Sequence, residues 1–291
     1  MPAPPTGLGS PTPFDGQASQ FDRRVALAEG DCRAIAAAVL ALARTGPGDR
    51  VLEIGAGTGM IGRWFLAHPV RYVGLDLSRG MLEVFRRRPG AARAGLVQAD
   101  GARPWPLPAG AVRVIFSSRA IHLLPLAHVV DEVFRVVSRA ARAAGEAAAD
   151  GGACLLGWVE RRPDSVKARM SREMQRLVRE RGFVPRTAGS RGLLAACRER
   201  GAAELPRSIV ARWPARHTPR QSLDSWRSKP GLGGIVLPPG VQESVLAELE
   251  SWAARTFGGL DAEWPAEESY VLEGVRLPAT LPAPPAMEHE D

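Results

Sequence analysis

Three glycines at alternate positions follow an acidic and an apolar residue in the run Glu53-Ile54-Gly55-Ala56-Gly57-Thr58-Gly59. The apolar residues Val51 to Ile54 predict a short buried strand, and the run would form the turn from this strand into a helix. Glycines in such a turn adopt positive φ and let a ligand approach the backbone. The N-terminus of the following helix adds oriented N–H groups. The sequence therefore predicts a ligand-binding loop at this position.

The glycine spacing and the preceding acid indicate which ligand the loop binds. In the dinucleotide fingerprint G-x-G-x-x-G the third glycine stands one residue later, where this chain has Met60. The carboxylate of Glu53 would repel a pyrophosphate and attract a ligand that carries an ammonium or sulfonium group. Both features argue against NAD.

Two further acids follow predicted strands. Asp76 ends the strand predicted at Tyr72–Leu75, where a carboxylate can accept hydrogen bonds from both hydroxyls of a ribose. Its alternative function is to cap the next helix, for which Ser78 is better placed. Asp100 follows the strand predicted at Leu96–Gln98 and can accept a hydrogen bond from an adenine amino group. Its alternative is an ordinary turn aspartate before a glycine.

The end of a fourth predicted strand, Val112–Ser117, supplies the candidate catalytic residues. His122 is the best candidate for a general base, and its alternative is a packing histidine in a loop. Arg119 could pair with an acidic group of a substrate, and its alternative is a solvated surface arginine. Ser117 and Ser118 are expected to line the ligand pocket through their backbones.

The elements that would position these residues alternate between strands and helices. A fifth strand is predicted at Cys154–Glu160, with two later strands at 204–217 and 268–277. Three helices are predicted to begin at the caps Asp31, Ser78 and Asp164. Two more are predicted, one over Arg191 to Arg200 and one that carries the apolar positions Val241, Val245, Leu249 and Trp252. This alternation predicts an α/β fold with a parallel, doubly wound sheet.

The chain is expected to form a single domain over residues 14–277, between Pro-rich flexible tails at 1–13 and 278–291. Residues 14–46 would form an N-terminal lid segment, with Phe14, Phe21, Asp22 and Arg24 as candidates to close the pocket. An insertion at 218–265 is interpreted as a helical cap beside the site, and a plain packing appendage is the alternative. The insertion contains His217 at its border and Arg220, Trp226 and Arg227, which suit an acidic or aromatic acceptor.

The charge and cysteine content exclude several classes of function. Of 38 basic residues only Lys167 and Lys229 are lysines, and the arginines are scattered, whereas a nucleic-acid interface concentrates them. We therefore expect no nucleic-acid partner. The three cysteines show no paired spacing, and no cluster of His, Cys or Asp suits a metal. Apolar runs are too short to cross a membrane and the start lacks a signal-peptide core, so a cytoplasmic protein is expected.

The segments Val51 to Leu82 and Ala99 to Leu124 together resemble class I S-adenosylmethionine (SAM)-dependent methyltransferases, in particular the ubiquinone/menaquinone-biosynthesis-like small-molecule group. The resemblance implies a Rossmann-like, mostly parallel seven-stranded sheet with SAM at its carboxyl edge. The implied cofactor residues are Glu53, Gly55, Ala56, Gly57, Thr58 and Gly59 around the methionine part, Asp76 at the ribose, Asp100 and Gly101 at the adenine, and Leu77 and Met81 packed nearby. One departure is Val112-Arg113, where the family usually carries Phe-Asp.

The sequence thus predicts a SAM-dependent methyltransferase that modifies an oxygen, nitrogen or carbon of a small metabolite. Metabolites of secondary metabolism are among the candidate acceptors. In-line methyl transfer requires alignment, and a base only where the acceptor loses a proton. Three alternatives are a SAM enzyme of the same fold with non-methylating chemistry, a non-catalytic binding protein, and an RNA methyltransferase. The intact loop argues against the second, and the lack of an Asn-Pro-Pro-Tyr type motif against the third.

Overall fold

The computed structural model describes residues 27–137, 151–184, 189–229, 231–238 and 240–279. The strands are β1 (Arg50–Ile54), β2 (Arg71–Asp76), β3 (Gly95–Gln98), β4 (Val114–Ser118), β5 (Ala153–Arg161), β6 (Ala203–His217) and β7 (Trp264–Arg276). The helices are α1 (Glu29–Leu42), α2 (Gly62–Phe65), α3 (Arg79–Arg86), α4 (Leu126–Val136), α5 (Val166–Glu180), α6 (Gly189–Glu199), α7 (Pro219–Arg227) and α8 (Val241–Phe257). The predicted tail 1–13, the lid candidates Phe14, Phe21, Asp22 and Arg24, and residues 280–291 lie outside the described residues.

The strands form one seven-stranded sheet in the order β3-β2-β1-β4-β5-β7-β6. The first five strands pair in parallel, as in the registers Leu52↔Val73 and Leu52↔Ile115. Parallel strands are covered on both faces, which explains why four of the five residues in each of β1 and β4 are buried. The predicted Rossmann-like, mostly parallel α/β fold is confirmed.

The strand order brings the loops after β1 and β4 together. The chain builds outward from β1 through β2 to β3 and then returns to place β4 on the other side of β1. Ligands bind where the strand order reverses in this way, outside the carboxyl ends of the strands. Ile54 and Ser117 are register partners there, so the residues that follow them face the same edge of the sheet.

The starts of three helices bear on the predicted caps. Ser78 is confirmed as a cap, since its Oγ accepts a hydrogen bond from the Met81 amide at 3.1 Å. The predictions for Asp31 and Asp164 were wrong. Ala28 occupies the N-cap of α1, while Asp31 lies in the first turn and accepts from the Ala28 amide. Ser165 caps α5, one residue after the predicted position.

The chain divides into two compact units. The first comprises Met1–Trp158, Gly189–Val210 and Val271–Asp291, and the second Val159–Ala188 and Ala211–Tyr270. The second unit has a core of its own, drawn from α5, α7 and α8 and including Met170, Leu223 and Leu249. The single domain at 14–277 with a cap at 218–265 stays a prediction.

A group of ionic side chains lies within the second unit. Glu268 is 4% exposed, and its Oε1 accepts hydrogen bonds from Arg161 Nε at 2.6 Å and His217 Nε2 at 2.9 Å. Lys167 Nζ lies 3.8 Å from the same oxygen. Burial by itself would raise the pKa of Glu268, but the hydrogen bond from His217 and the charges of Arg161 and Lys167 outweigh it and lower the pKa to about 2.

Candidate cofactor and acceptor site

A cavity of about 540 Å³ lies at the carboxyl edge of the sheet within the first unit. Its wall comes from the segments that follow four neighbouring strands. The lining residues are Glu53 to Thr58, Met60, Ile61, Leu75 to Leu77, Met81, Asp100 to Ala102, Ser118 to Ala120, Leu123 and Leu124. All of the predicted cofactor residues except Gly59 and Ser117 therefore line this cavity.

The three glycines of the loop have positive φ, but they serve different contacts. A side chain on Gly55 (φ 75°) would place its Cβ 2.1 Å from the Cβ of Ala120. A Cβ on Gly59 (φ 73°) would lie 2.3 Å from the ring of Phe85. Gly57 (φ 55°) meets no such obstacle, and its amide donates a hydrogen bond to Asp76. Gly59 therefore packs the loop against α3 instead of facing the cavity.

Asp76 lines the cavity and also holds the loop. Its Oδ2 accepts from the Gly57 amide at 2.7 Å and its Oδ1 from the Ser78 amide at 2.8 Å. Carboxylate oxygens can each accept more than one hydrogen bond, so these amides leave the group suited to ribose hydroxyls. The same side chain thus joins the end of β2 to the glycine loop and faces the ligand.

Glu53 is buried at the inner end of the cavity, at 3% exposure. The hydroxyl of Tyr72 donates to its Oε2 at 2.6 Å. Burial raises the pKa of Glu53 to about 8, with a further contribution from Asp76 and an opposing one from the Tyr72 hydrogen bond. The sequence did not predict a function for Tyr72, because Tyr72 and Glu53 are 19 residues apart and no local pattern indicates that they meet.

The adenine candidates lie together after β3. Asp100 accepts from the Ala102 amide through Oδ1 at 2.9 Å, so the turn function considered as its alternative is present. A Cβ on Gly101 would lie 2.9 Å from the Leu124 side chain. Leu77 and Met81 supply apolar wall next to these polar groups.

The residues at the end of β4 divide between structure and cavity. Ser117 is buried, and its Oγ donates to the Ile54 carbonyl at 2.9 Å, which ties β4 to β1. Ser118, the second serine predicted to line the pocket, does line the cavity. Arg119 also lines the cavity and has φ 62°. A positive φ is rare for a bulky side chain and is found at functional sites, where the fold holds the strain.

His122 lies on the short 3-10 turn Ile121–Leu123, is exposed, and does not line the cavity. Partial desolvation of the ring and the charge of Arg119 lower its pKa below the ordinary value. The neighbouring Leu123 and Leu124 face the cavity instead. The cavity wall therefore includes Arg119 and not His122.

Metal clusters and membrane-spanning helices are both missing from the described ranges. Within them, no group of three or more His, Cys, Asp or Glu side chains is arranged to hold a metal ion. No helix in the part of the chain that the structure describes is long and apolar enough to cross a membrane.

The known proteins that match this chain in sequence are methyltransferases. Residues 51–145 match the family model described as "Methyltransferase domain". A malonyl-[acyl-carrier protein] O-methyltransferase from Serratia marcescens is 32% identical over 126 residues, 42% of this chain and 46% of the relative. Ribosomal RNA small subunit methyltransferase A from Thermosynechococcus vestitus is 37% identical over 82 residues, 28% of this chain and 31% of the relative. The chain thus spans less than half the length of these curated relatives.

Solved structures share the fold. The YcgJ protein from Bacillus subtilis superposes with a TM-score of 0.52 at 18% identity, covering 86% of this chain and 99% of that one. A Bacillus halodurans C-125 protein gives 0.52 at 17% identity, covering 84% and 98%. The fold is that of class I SAM-dependent methyltransferases. Residues 51–145 carry the match to the methyltransferase-domain model, and membership of the narrower ubiquinone/menaquinone-like group stays a prediction.

Proposed function

We propose that this chain transfers the methyl group of SAM to an oxygen, nitrogen or carbon atom of a small-molecule acceptor that carries an anionic group. One observation carries the proposal. The cavity joins the acids from the ends of three neighbouring strands to an arginine and apolar side chains that follow a fourth. SAM supplies a methyl group activated by its sulfonium, and the cavity residues bind and orient the reactants.

The polar groups of the cavity match the chemistry of SAM in order. Glu53 offers a carboxyl group for the ammonium, Asp76 for the ribose hydroxyls, and Asp100 for the adenine amino group. Leu77 and Met81 offer apolar surface for the rings. A volume of about 540 Å³ lies in the range of small-molecule sites.

The remaining wall favours an acidic acceptor. Among the described residues, Arg119 is the one cation that lines the cavity, and a guanidinium binds a carboxylate through two parallel hydrogen bonds. Leu123, half exposed, and Leu124 would contact an apolar part of the acceptor. The Serratia marcescens relative is named for O-methylation of malonyl-[acyl-carrier protein]. Its acceptor group is an acid carried on a protein, so the name supports an acidic acceptor and not a small one.

A carboxylate acceptor also fits the position of His122. An acceptor that is already ionised loses no proton in the reaction and needs no general base. Catalysis then rests on holding the carboxylate oxygen in line with the methyl group and on excluding water. In this proposal Arg119 orients the acceptor, and His122 contributes little to turnover. The cytoplasmic location and a place in secondary metabolism belong to the same proposal.

The test is incubation of the protein with methyl-labelled SAM and a metabolite extract, with identification of the labelled product by mass. We expect S-adenosylhomocysteine together with a methylated acid, and Arg119→Ala should raise the KM for that acid by about tenfold or more. Arg119→Lys, which keeps the charge, should lose less. Formation of methylthioadenosine would point to attack within SAM, and unchanged SAM with a converted substrate to non-methylating chemistry. A labelled product that is neither a methylated acid nor the methyl ester of an acid would overturn the acceptor class.

A further inference from the structure

The Tyr72–Glu53 contact is buried, with one of its two residues at the cavity wall. Tyr72 is 2% exposed and does not line the cavity, whereas Glu53 does. The register pairs Glu53 with Gly74, two residues beyond Tyr72, so both side chains lie on the same face of neighbouring strands. The Tyr72 ring stacks on Phe65 at 5.7 Å and meets Phe85 at 5.8 Å. These ring contacts determine where the hydroxyl points.

Two glycines leave room for this hydroxyl. A Cβ on Gly62 would lie 2.2 Å from the Tyr72 oxygen and 2.6 Å from Glu53 Oε2. A Cβ on Gly74 would lie 2.9 Å from the same hydroxyl. Neither glycine has a positive φ, so backbone conformation does not require glycine at either position. Glycine costs stability inside a helix or strand, and here its lack of a side chain accommodates the pair.

We propose that Tyr72 is a positioning residue for the amino-acid end of SAM, acting through Glu53. Its hydroxyl holds one carboxyl oxygen, Oε2, and turns the other oxygen towards the ligand's ammonium group. A hydrogen bond donated to a carboxylate stabilises the ionised form, and an ionised Glu53 attracts the ammonium more strongly than a protonated one. This inference rests on the proposed binding of SAM.

Ionisation of Glu53 depends on a small set of groups. Burial opposes ionisation most strongly, the Tyr72 hydroxyl on β2 favours it, and Asp76 on the same strand opposes it by repulsion. Loss of the hydroxyl should therefore keep Glu53 protonated to a higher pH. SAM affinity increases with pH as Glu53 ionises. In Tyr72→Phe this increase should therefore occur at a higher pH than in the parent protein.

The experiment compares two ligands by calorimetry from about pH 6 to about pH 9, a range that spans the ionisation of Glu53. SAM carries the amino-acid end, and methylthioadenosine lacks it but keeps the adenosine. In Tyr72→Phe, which keeps the ring contacts with Phe65 and Phe85, we expect SAM binding at neutral pH to weaken roughly tenfold, with methylthioadenosine binding unchanged. Gly62→Ala, which occupies the space of the hydroxyl, should act in the same direction. In a Glu53→Ala background the Tyr72→Phe change should have no further effect on SAM.

The outcomes separate the two proposals. Equal weakening of both ligands in Tyr72→Phe, or an unchanged pH profile for SAM, would make Tyr72 a packing residue and overturn the inference. The same conclusion would follow if Tyr72→Phe weakened SAM binding as much in the Glu53→Ala background as in the parent protein. If the parent protein binds methylthioadenosine but not SAM, or binds neither, the proposed function fails and this inference fails with it. The ligand's own amine titrates equally in all variants, so differences between variants report on the protein.

Discussion

Single side chains at the carboxyl edge combine structural and ligand-binding tasks. Asp76 accepts hydrogen bonds from Gly57 and Ser78 and also lines the cavity. Its predicted ribose contact and its alternative at the start of the next helix are therefore compatible. Asp100 repeats this pattern, with a turn hydrogen bond from the Ala102 amide and a place in the wall. For such residues, a loss of binding on substitution has to be separated from a loss of loop structure.

Asp76→Ala should weaken SAM binding by about 1–3 kcal/mol, because a partly buried carboxylate that bonds the loop and, in this proposal, the ligand is removed. The control is Asp49→Ala, which removes a comparable acceptor of a backbone amide, that of Gly46, outside the cavity. Calorimetric titration with SAM should find the control equal to the parent protein. An unchanged affinity in Asp76→Ala would contradict the ribose assignment.

At the scale of elements, the β1 loop is held by packing as well as by its backbone conformation. Gly59 lies against Phe85 of α3, and Ser117 of β4 donates to the last carbonyl of β1. Both residues were predicted to contact the cofactor, and neither lines the cavity. Their contacts join β1 to a neighbouring strand and helix, which keeps Glu53 and Gly57 in place.

Gly59→Ala and Gly48→Ala form a matched pair. Both glycines have positive φ, 73° and 81°, but a Cβ on Gly48 meets no atom within 4 Å. Gly48→Ala should cost about 1 kcal/mol for the backbone alone. Gly59→Ala should cost more in urea unfolding, since the Phe85 ring must move, and should also weaken SAM binding. Equal costs for the two would show that packing against Phe85 contributes nothing.

At the scale of the whole molecule, the chain forms two compact units with separate cores. The cavity draws all its residues from the first unit, and the ionic group around Glu268 draws all of its own from the second. Strands β5, β6 and β7 contribute residues to both units. The chain therefore passes from one unit to the other within each of these strands. The order of predicted elements along the sequence does not show this division.

Glu268→Gln should destabilise the second unit by about 3 kcal/mol at neutral pH, because Arg161 and Lys167 lose the buried carboxylate that they share. The folded protein keeps Glu268 ionised to about pH 2, and the unfolded chain protonates it near 4.5. This stabilisation is thus present above about pH 5 and is lost as the pH falls towards about 2. Glu267→Gln, at the exposed neighbouring position, is the control. This account would be contradicted if the free energies of unfolding of the parent protein and Glu268→Gln differed by the same amount at about pH 3 and at about pH 7.

The sequence by itself determined the α/β fold, the position of the glycine loop and the acids that end β1 and β2. These are local properties: periodicity specifies elements, and parallel strands bring their carboxyl ends to one edge. Only the tertiary structure decided that Tyr72 meets Glu53, that Gly62 and Gly74 make room for that contact, and that His122 lies outside the cavity. Such contacts join residues far apart in the chain, and side-chain packing, which no spacing along the sequence encodes, selects them.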